Sequence, residues 1–349
     1  MIISEAKAKV YGKLAKSLTS EFAASSQKYK LACMFNSSTS LVDASKLNLN
    51  DIIISTGCYE SMFEGCTSLT SAPELPATEL AEGCYESMFY KCKSLTSAPE
   101  LPATTLANYC YYCMFSGCTS LTSAPELPAT TLAGGCYSYM FSGCTSLTSA
   151  PKVLPATKLN DSCYNGMFSG CTSLTSAPEL PATTLAGGCY SYMFSGCTSL
   201  TSAPKVLPAT KLNDSCYNGM FSGCTSLTSA PELPATTLAN KCYYCMFEGC
   251  TSLKSAPELP ATIVADRCYE SMFSGCTSLT SAPELPATTL ASMCYDNMFI
   301  GCTSLKSAPE LPATKLGVGC YSNMFSGCTS LKSAPKVLPA TTLGAGCYM

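Results

Sequence analysis

Two stretches place thiols at close spacing: Cys110-Tyr111-Tyr112-Cys113 and Cys242-Tyr243-Tyr244-Cys245. A Cys-x-x-Cys pair at the start of a helical turn can carry an acidified thiol, fit for redox exchange or metal binding. A structural zinc site needs four ligands, and the chain has no His, while the sequence sets no second close pair beside either Cys-x-x-Cys. Neighbouring stretches of the same pattern put Ser, Gly, Tyr or Asn where Cys113 stands, so no metal is expected here. The absence of His also removes the usual general base and most triad arrangements. The carboxylates recur at fixed intervals rather than as one singular pair. No Gly-x-Gly-x-x-Gly or Gly-x4-Gly-Lys phosphate loop occurs. These observations point away from an enzyme, and no cofactor is expected.

What positions these residues is a repeat. A Met-Phe pair falls at Met34, Met62, Met88, Met114, Met140, Met167, Met193, Met220, Met246, Met272, Met298 and Met324. The spacing is 28 once and then 26, lengthening to 27 wherever Pro-Glu-Leu-Pro becomes Pro-Lys-Val-Leu-Pro. Residues 114–186 and 167–239 are identical, an offset of 53 or two units. A fixed period of this size marks a solenoid, in which each unit is too small to bury its own apolar face and neighbours share one core. One elongated array over 56–349 is therefore expected, preceded by an N-terminal cap and a degenerate first repeat over 1–55. In the cap, Ile3, Ala6, Val10, Leu14, Leu18 and Phe22 lie near helical spacing, and Ser4 is a candidate helix cap.

Charged residues are 12% of the chain and the net charge is −3, which leaves no basic footprint for nucleic acid. No apolar run reaches membrane-spanning length, and the first residues do not read as a secretory signal. The 26 Cys fall mostly in two recurring places, Cys-Tyr and Gly-Cys-Thr-Ser-Leu. Disulfides suit short secreted chains. Small buried thiols stacked in a ladder are the preferred reading where no secretion signal is present.

Within one unit, Cys58, Met62 and Cys66 are four apart and share a face, with Tyr59 and Phe63 beside them. That predicts a short helix or 3-10 segment over Cys58–Phe63, ended by Gly65. Leu69, Ala72 and Leu75 predict an extended stretch, kept short by Pro73 and Pro76. Phe-x-x-Cys-x-x-Leu followed by a strand, Leu-Pro, a further Leu and the next Phe resembles the BspA-like leucine-rich repeats of bacterial surface proteins. The Met-Phe-x-x-Cys-x-x-Leu variant also resembles repeat arrays of gut Bacteroidetes, mycoplasmas and their phages. The fold expected is thus an α/β, leucine-rich-repeat-like solenoid. Short parallel strands would line one face and short helical or 3-10 turns the other, in about eleven 26–27-residue repeats. Eleven parallel strands at about 4.7–4.9 Å would make a rod or arc on the order of 50 Å long.

Two surfaces vary between units. Around Cys-Tyr the flanking residues change freely, which is either drift or a recognition surface of the Tyr-rich kind that binding loops use. Tyr109, Tyr111, Tyr112, Tyr137 and Tyr139 are the candidate contacts there. On the strand face one position is always charged, running Glu74, Glu100, Glu126, Lys152, Glu179, Lys205, Glu232 and onward. Stacked like charges would repel, and the alternation Glu126, Lys152, Glu179 removes that repulsion. The column is a solvated charge ladder or a ligand groove, with Glu126, Lys152 and Glu179 as candidates for the latter. No Asp-rich loop with cation-site spacing appears.

The chain stops mid-unit at Cys347-Tyr348-Met349, so its last unit is expected to pack on a partner chain or a second copy. The function expected is a non-enzymatic binding or adhesion scaffold for a protein or cell-surface glycan. A phage virion appendage contacting a bacterial surface is the first reading. A bacterial cell-surface adhesin and a cytoplasmic interaction scaffold are the alternatives.

Overall fold

The structure, a computed structural model, describes residues 8–13, 31–50 and 52–349. Successive repeats stack as rungs of one array, each bonded to its sequence neighbours. Regular strands are few. β1 (Ala8–Lys13) pairs in parallel with β2 (Leu41–Asn48), and β3 (Thr289–Leu290) pairs in parallel with β4 (Lys315–Leu316). Elsewhere adjacent rungs meet through isolated parallel bridges such as Thr105↔Thr131 and Ser176↔Ser202. The expected extended stretch from Leu69 to Leu75 is a single bridge at Ser71. Two prolines within four residues remove the donors that a longer ladder needs.

The helix expected over Cys58–Phe63 does not form, and the described residues contain no helix. The segment is a chain of turns with a strict period of four. Cys58, Tyr59, Met62, Phe63 and Cys66 point inward and are fully buried, while Glu60, Glu64 and Gly65 are half-buried on the outer edge. An α-helix repeats every 3.6 residues and would rotate this pattern off its face. Here every fourth residue is left-handed instead: Gly57 at φ 60°, Ser61 at 51° and Gly65 at 70°.

That geometry splits the backbone donors into two sets. The N–H groups of Cys58, Glu60, Met62, Glu64 and Cys66 donate to carbonyls three residues back, at 3.0–3.1 Å. Those of Tyr59, Ser61, Phe63 and Gly65 donate to Cys84, Glu86, Met88 and Tyr90 of the next rung, at 2.8–2.9 Å. A helix would spend every interior donor on itself. The turn chain spends half of them on stacking, so the fold of one rung requires its neighbour.

The core is a set of columns. Phe rings stack from Phe35 to Phe325 with centroids 5.3–5.9 Å apart. Tyr rings stack alongside from Tyr59 to Tyr348 at 5.4–5.8 Å. Each such pair contributes roughly 0.5–1.5 kcal/mol beyond the burial of its area. Cysteines line both sides. Cys92 Sγ donates to Phe63 O at 3.0 Å, and Cys171 Sγ to Phe141 O at 3.1 Å. That carbonyl already accepts a turn bond, from Cys66 N–H in the first case, so the thiol satisfies its second lone pair.

At the N-terminal end, residues 8–13 form a strand rather than part of the expected helix. The remainder of that helix, including Ile3, Ser4, Leu14, Leu18 and Phe22, lies outside the described residues. The degenerate repeat supplies β2, the longest strand, because Leu41–Asn48 contains no proline.

Candidate recognition surface

The outer edge of the turn chain carries most of the side-chain variation. Its first left-handed column runs Gly83, Tyr109, Gly135, Ser162, Gly188, Ser215, Lys241, Arg267 and Met293. Its second runs Ser87, Cys113, Tyr139, Gly166, Tyr192, Gly219, Cys245, Ser271 and Asn297. The third, which precedes the core cysteine, is nearly always Gly, from Gly117 to Gly327. A left-handed φ is costly for a residue with a Cβ, so occupation of the first two columns by Tyr, Lys, Arg or Met is a local strain that stacking sustains.

The tyrosines on this edge are seated on glycines of the next rung. A Cβ added to Gly135 would stand 2.5 Å from the Tyr109 ring, and one on Gly219 would stand 2.5 Å from Tyr192. Tyr139 covers Gly166 in the same way. Tyr109 is 48% exposed and packs edge-on against Tyr112, with centroids 6.0 Å apart. Tyr112 meets Tyr139 edge-on at 6.2 Å. Of the five candidate tyrosines, these three come together as one surface cluster.

Tyr111 and Tyr137 do not join it. Both are 1% exposed and stack on each other at 5.6 Å inside the tyrosine column. They occupy the inward position that Tyr59 holds in its own rung, so they are core residues and not contacts. Tyr192 belongs on this edge and was missed. It is the copy of Tyr139 at the offset of 53, and the identity of 114–186 with 167–239 was the signal for it.

The Cys-x-x-Cys stretches lack an activated thiol. Burial pushes Cys110 up to about 12. Burial, with the Glu86 carboxylate adding to it, pushes Cys113 up to about 11. Cys245 is pushed up to about 12 by burial and then by Glu248. Nucleophilic or metal-binding thiols need the opposite shift. Among the described residues no group of three metal-ligating side chains converges.

On the opposite face, Glu126, Lys152 and Glu179 are exposed, as is the rest of their column. Here the rungs differ in backbone pairing. Glu179 N–H donates to Lys152 O at 2.9 Å and Leu154 N–H to Glu179 O at 3.1 Å, closing a bridge between Val153 and Glu179. The rungs of Val153 and Val206 are thus zipped to the rung that follows.

No described helix is long and apolar enough to cross a membrane. No curated protein and no solved structure matches the chain. A family model described as BspA type leucine rich repeat region, in six copies, matches residues 34–175, 85–220, 115–254 and 188–332. These matches run over most of the 349 residues and over the stacked rungs themselves, and the chain belongs to this family of BspA-type leucine-rich repeats, generally a binding scaffold rather than an enzyme.

Proposed function

We propose that the chain is a surface-recognition scaffold of a phage virion appendage, meeting a protein or glycan on a bacterial cell through its turn edge. One observation carries the reading: the inward columns barely change from rung to rung, while the outer columns change freely and include exposed tyrosines. Tyr109, Tyr112 and Tyr139 offer rigid amphipathic rings with small polar neighbours, the composition that paratopes use. A long array also presents many weak contacts at once, which suits a repetitive cell surface.

The test is a pull-down of whole bacterial cells, with a glycan array beside it, using the labelled full chain. Binding should fall steeply in a Tyr109→Ala/Tyr112→Ala/Tyr139→Ala variant whose stack remains intact by circular dichroism. Undiminished binding would move the contact to another face. The family favours a second reading, a cell-surface adhesin, and the columns of thiols donating to backbone carbonyls, as at Cys92 and Cys171, favour a third, a cytoplasmic scaffold. Detecting the chain in purified virions, on intact cells or only in lysate separates the three.

A further inference from the structure

We propose that the Pro-Glu-Leu-Pro face holds docking notches for an extended cationic peptide segment with Lys or Arg at alternate positions. Between three pairs of adjoining Pro-Glu-Leu-Pro rungs the surface opens. A hollow of about 550 Å³ lies between Pro73, Pro76, Pro99 and Pro102, rimmed by Glu74 and Glu100. A second, of about 420 Å³, lies between 231–234 and 257–260. A third, of about 550 Å³, lies between 257–260 and 283–286. The last two share a rung, so they form one continuous groove rimmed by Glu232, Glu258 and Glu284.

The cause is local. Two facing Pro-Glu-Leu-Pro stretches keep their Glu and Leu N–H donors, but among the described residues they carry no backbone bridge, so what they lack is register. The extra residue in Pro-Lys-Val-Leu-Pro restores the register. Val153 bridges Glu179 and Val206 bridges Glu232, each supported by two backbone bonds. The same two rungs bring Lys152 and Lys205. The insertion therefore closes the face and balances its charge in the middle of the array. Open, acidic tracts are left on either side, away from the candidates Glu126, Lys152 and Glu179.

Chemistry selects the occupant. Glu74, Glu100, Glu232, Glu258 and Glu284 are exposed, and no ion pair to them is formed among the described residues. Proline walls suit the aliphatic stems of Lys and Arg, while the rim carboxylates take the charged heads. An extended peptide places alternate side chains on one face about 6.6 Å apart. Phe ring centroids of successive rungs lie 5.7 Å apart in this region, so the rung repeat is of the same order as that step. A bare divalent cation fits less well, because no three ligating groups converge among the described residues.

The experiment measures fluorescence anisotropy of a labelled peptide of alternating Lys and Ser against the full chain, with a block-Lys peptide of equal composition as control. Saturable binding is expected, with the block peptide weaker. Glu258→Gln, which touches two notches, should weaken binding on the order of tenfold, the scale of one charge-assisted bond. Inserting Val after Glu258 keeps the charge but zips the rung as at Val153, and it should weaken binding as much. Glu82→Gln, an exposed acid on the turn edge, should have no effect. Equal loss in Glu82→Gln, or unchanged affinity in the Val insertion, would overturn the proposal, because either outcome reduces it to general acidity. Circular dichroism of each variant confirms that the stack persists.

Discussion

The Tyr139 ring covers Gly166 of the following rung so closely that Gly166 has no room for a Cβ. Gly166 is also left-handed, at φ 58°. The pair shows how the outer edge is coupled across rungs: a large side chain in one is permitted by its absence in the next. The same pairing recurs at Tyr109 with Gly135 and at Tyr192 with Gly219.

Gly166→Ala should therefore destabilise the array by about 1–3 kcal/mol, combining the left-handed φ with the clash. Tyr139→Ala in the same chain should recover part of that loss. A urea titration followed by circular dichroism reads both. A double variant no more stable than Gly166→Ala would show that the ring is not the obstacle.

Because each rung contacts only its sequence neighbours, whole rungs should be removable. Deleting residues 167–219 joins Gly166 to Met220, which recreates the native Gly219–Met220 junction. The shortened chain should fold and lose length in small-angle scattering by two rungs, with a modestly lower urea midpoint. Failure to fold would contradict nearest-neighbour stacking.

The buried thiols predict a sharp alkaline limit. Burial raises Cys144, Cys197 and Cys250 from 9.0 to about 12. The raised folded value means that the unfolded chain loses its protons first as pH rises. Stability is then complete below about pH 8.5 and declines toward pH 12, by about 1.4 kcal/mol per pH unit for each such thiol. With many thiols in the stack, ellipticity should collapse cooperatively above about pH 9 to 10 under reducing conditions. An intact spectrum at pH 11 would refute this account.

Thiol reactivity should divide the cysteines by position. Cys33 is exposed and Cys113 is half-buried, whereas the Cys66 to Cys328 column and the Cys58 to Cys347 column are buried. In the native state a thiol-specific reagent should label Cys33 fast and Cys113 slowly, leaving the columns unmodified until denaturant is added. Fast labelling of Cys171 or Cys197, read by peptide mass spectrometry, would mean that the columns open readily.

Much of this molecule was legible in the linear chain. The period, the inward set Cys58, Met62, Phe63, Cys66 and Leu69, and the acidic column from Glu74 onward all follow from residue type and spacing. The helix over Cys58–Phe63 did not follow. A four-residue spacing looks helical over two turns, and only its strict persistence through Cys66 separates it from a 3.6-residue period. The N-terminal strand was hidden by apolar residues whose spacing satisfied a helix equally well.

The chain by itself determined that it must stack, because no single unit carries enough apolar surface to close its own core. It also determined which columns are apolar, and that histidine is absent. Tertiary structure decided where half of the backbone donors go, which tyrosines are core and which are surface, and where the proline face is open or zipped. Those outcomes depend on hydrogen bonds and ring contacts between residues 25 to 27 positions apart, which no local pattern of types can display.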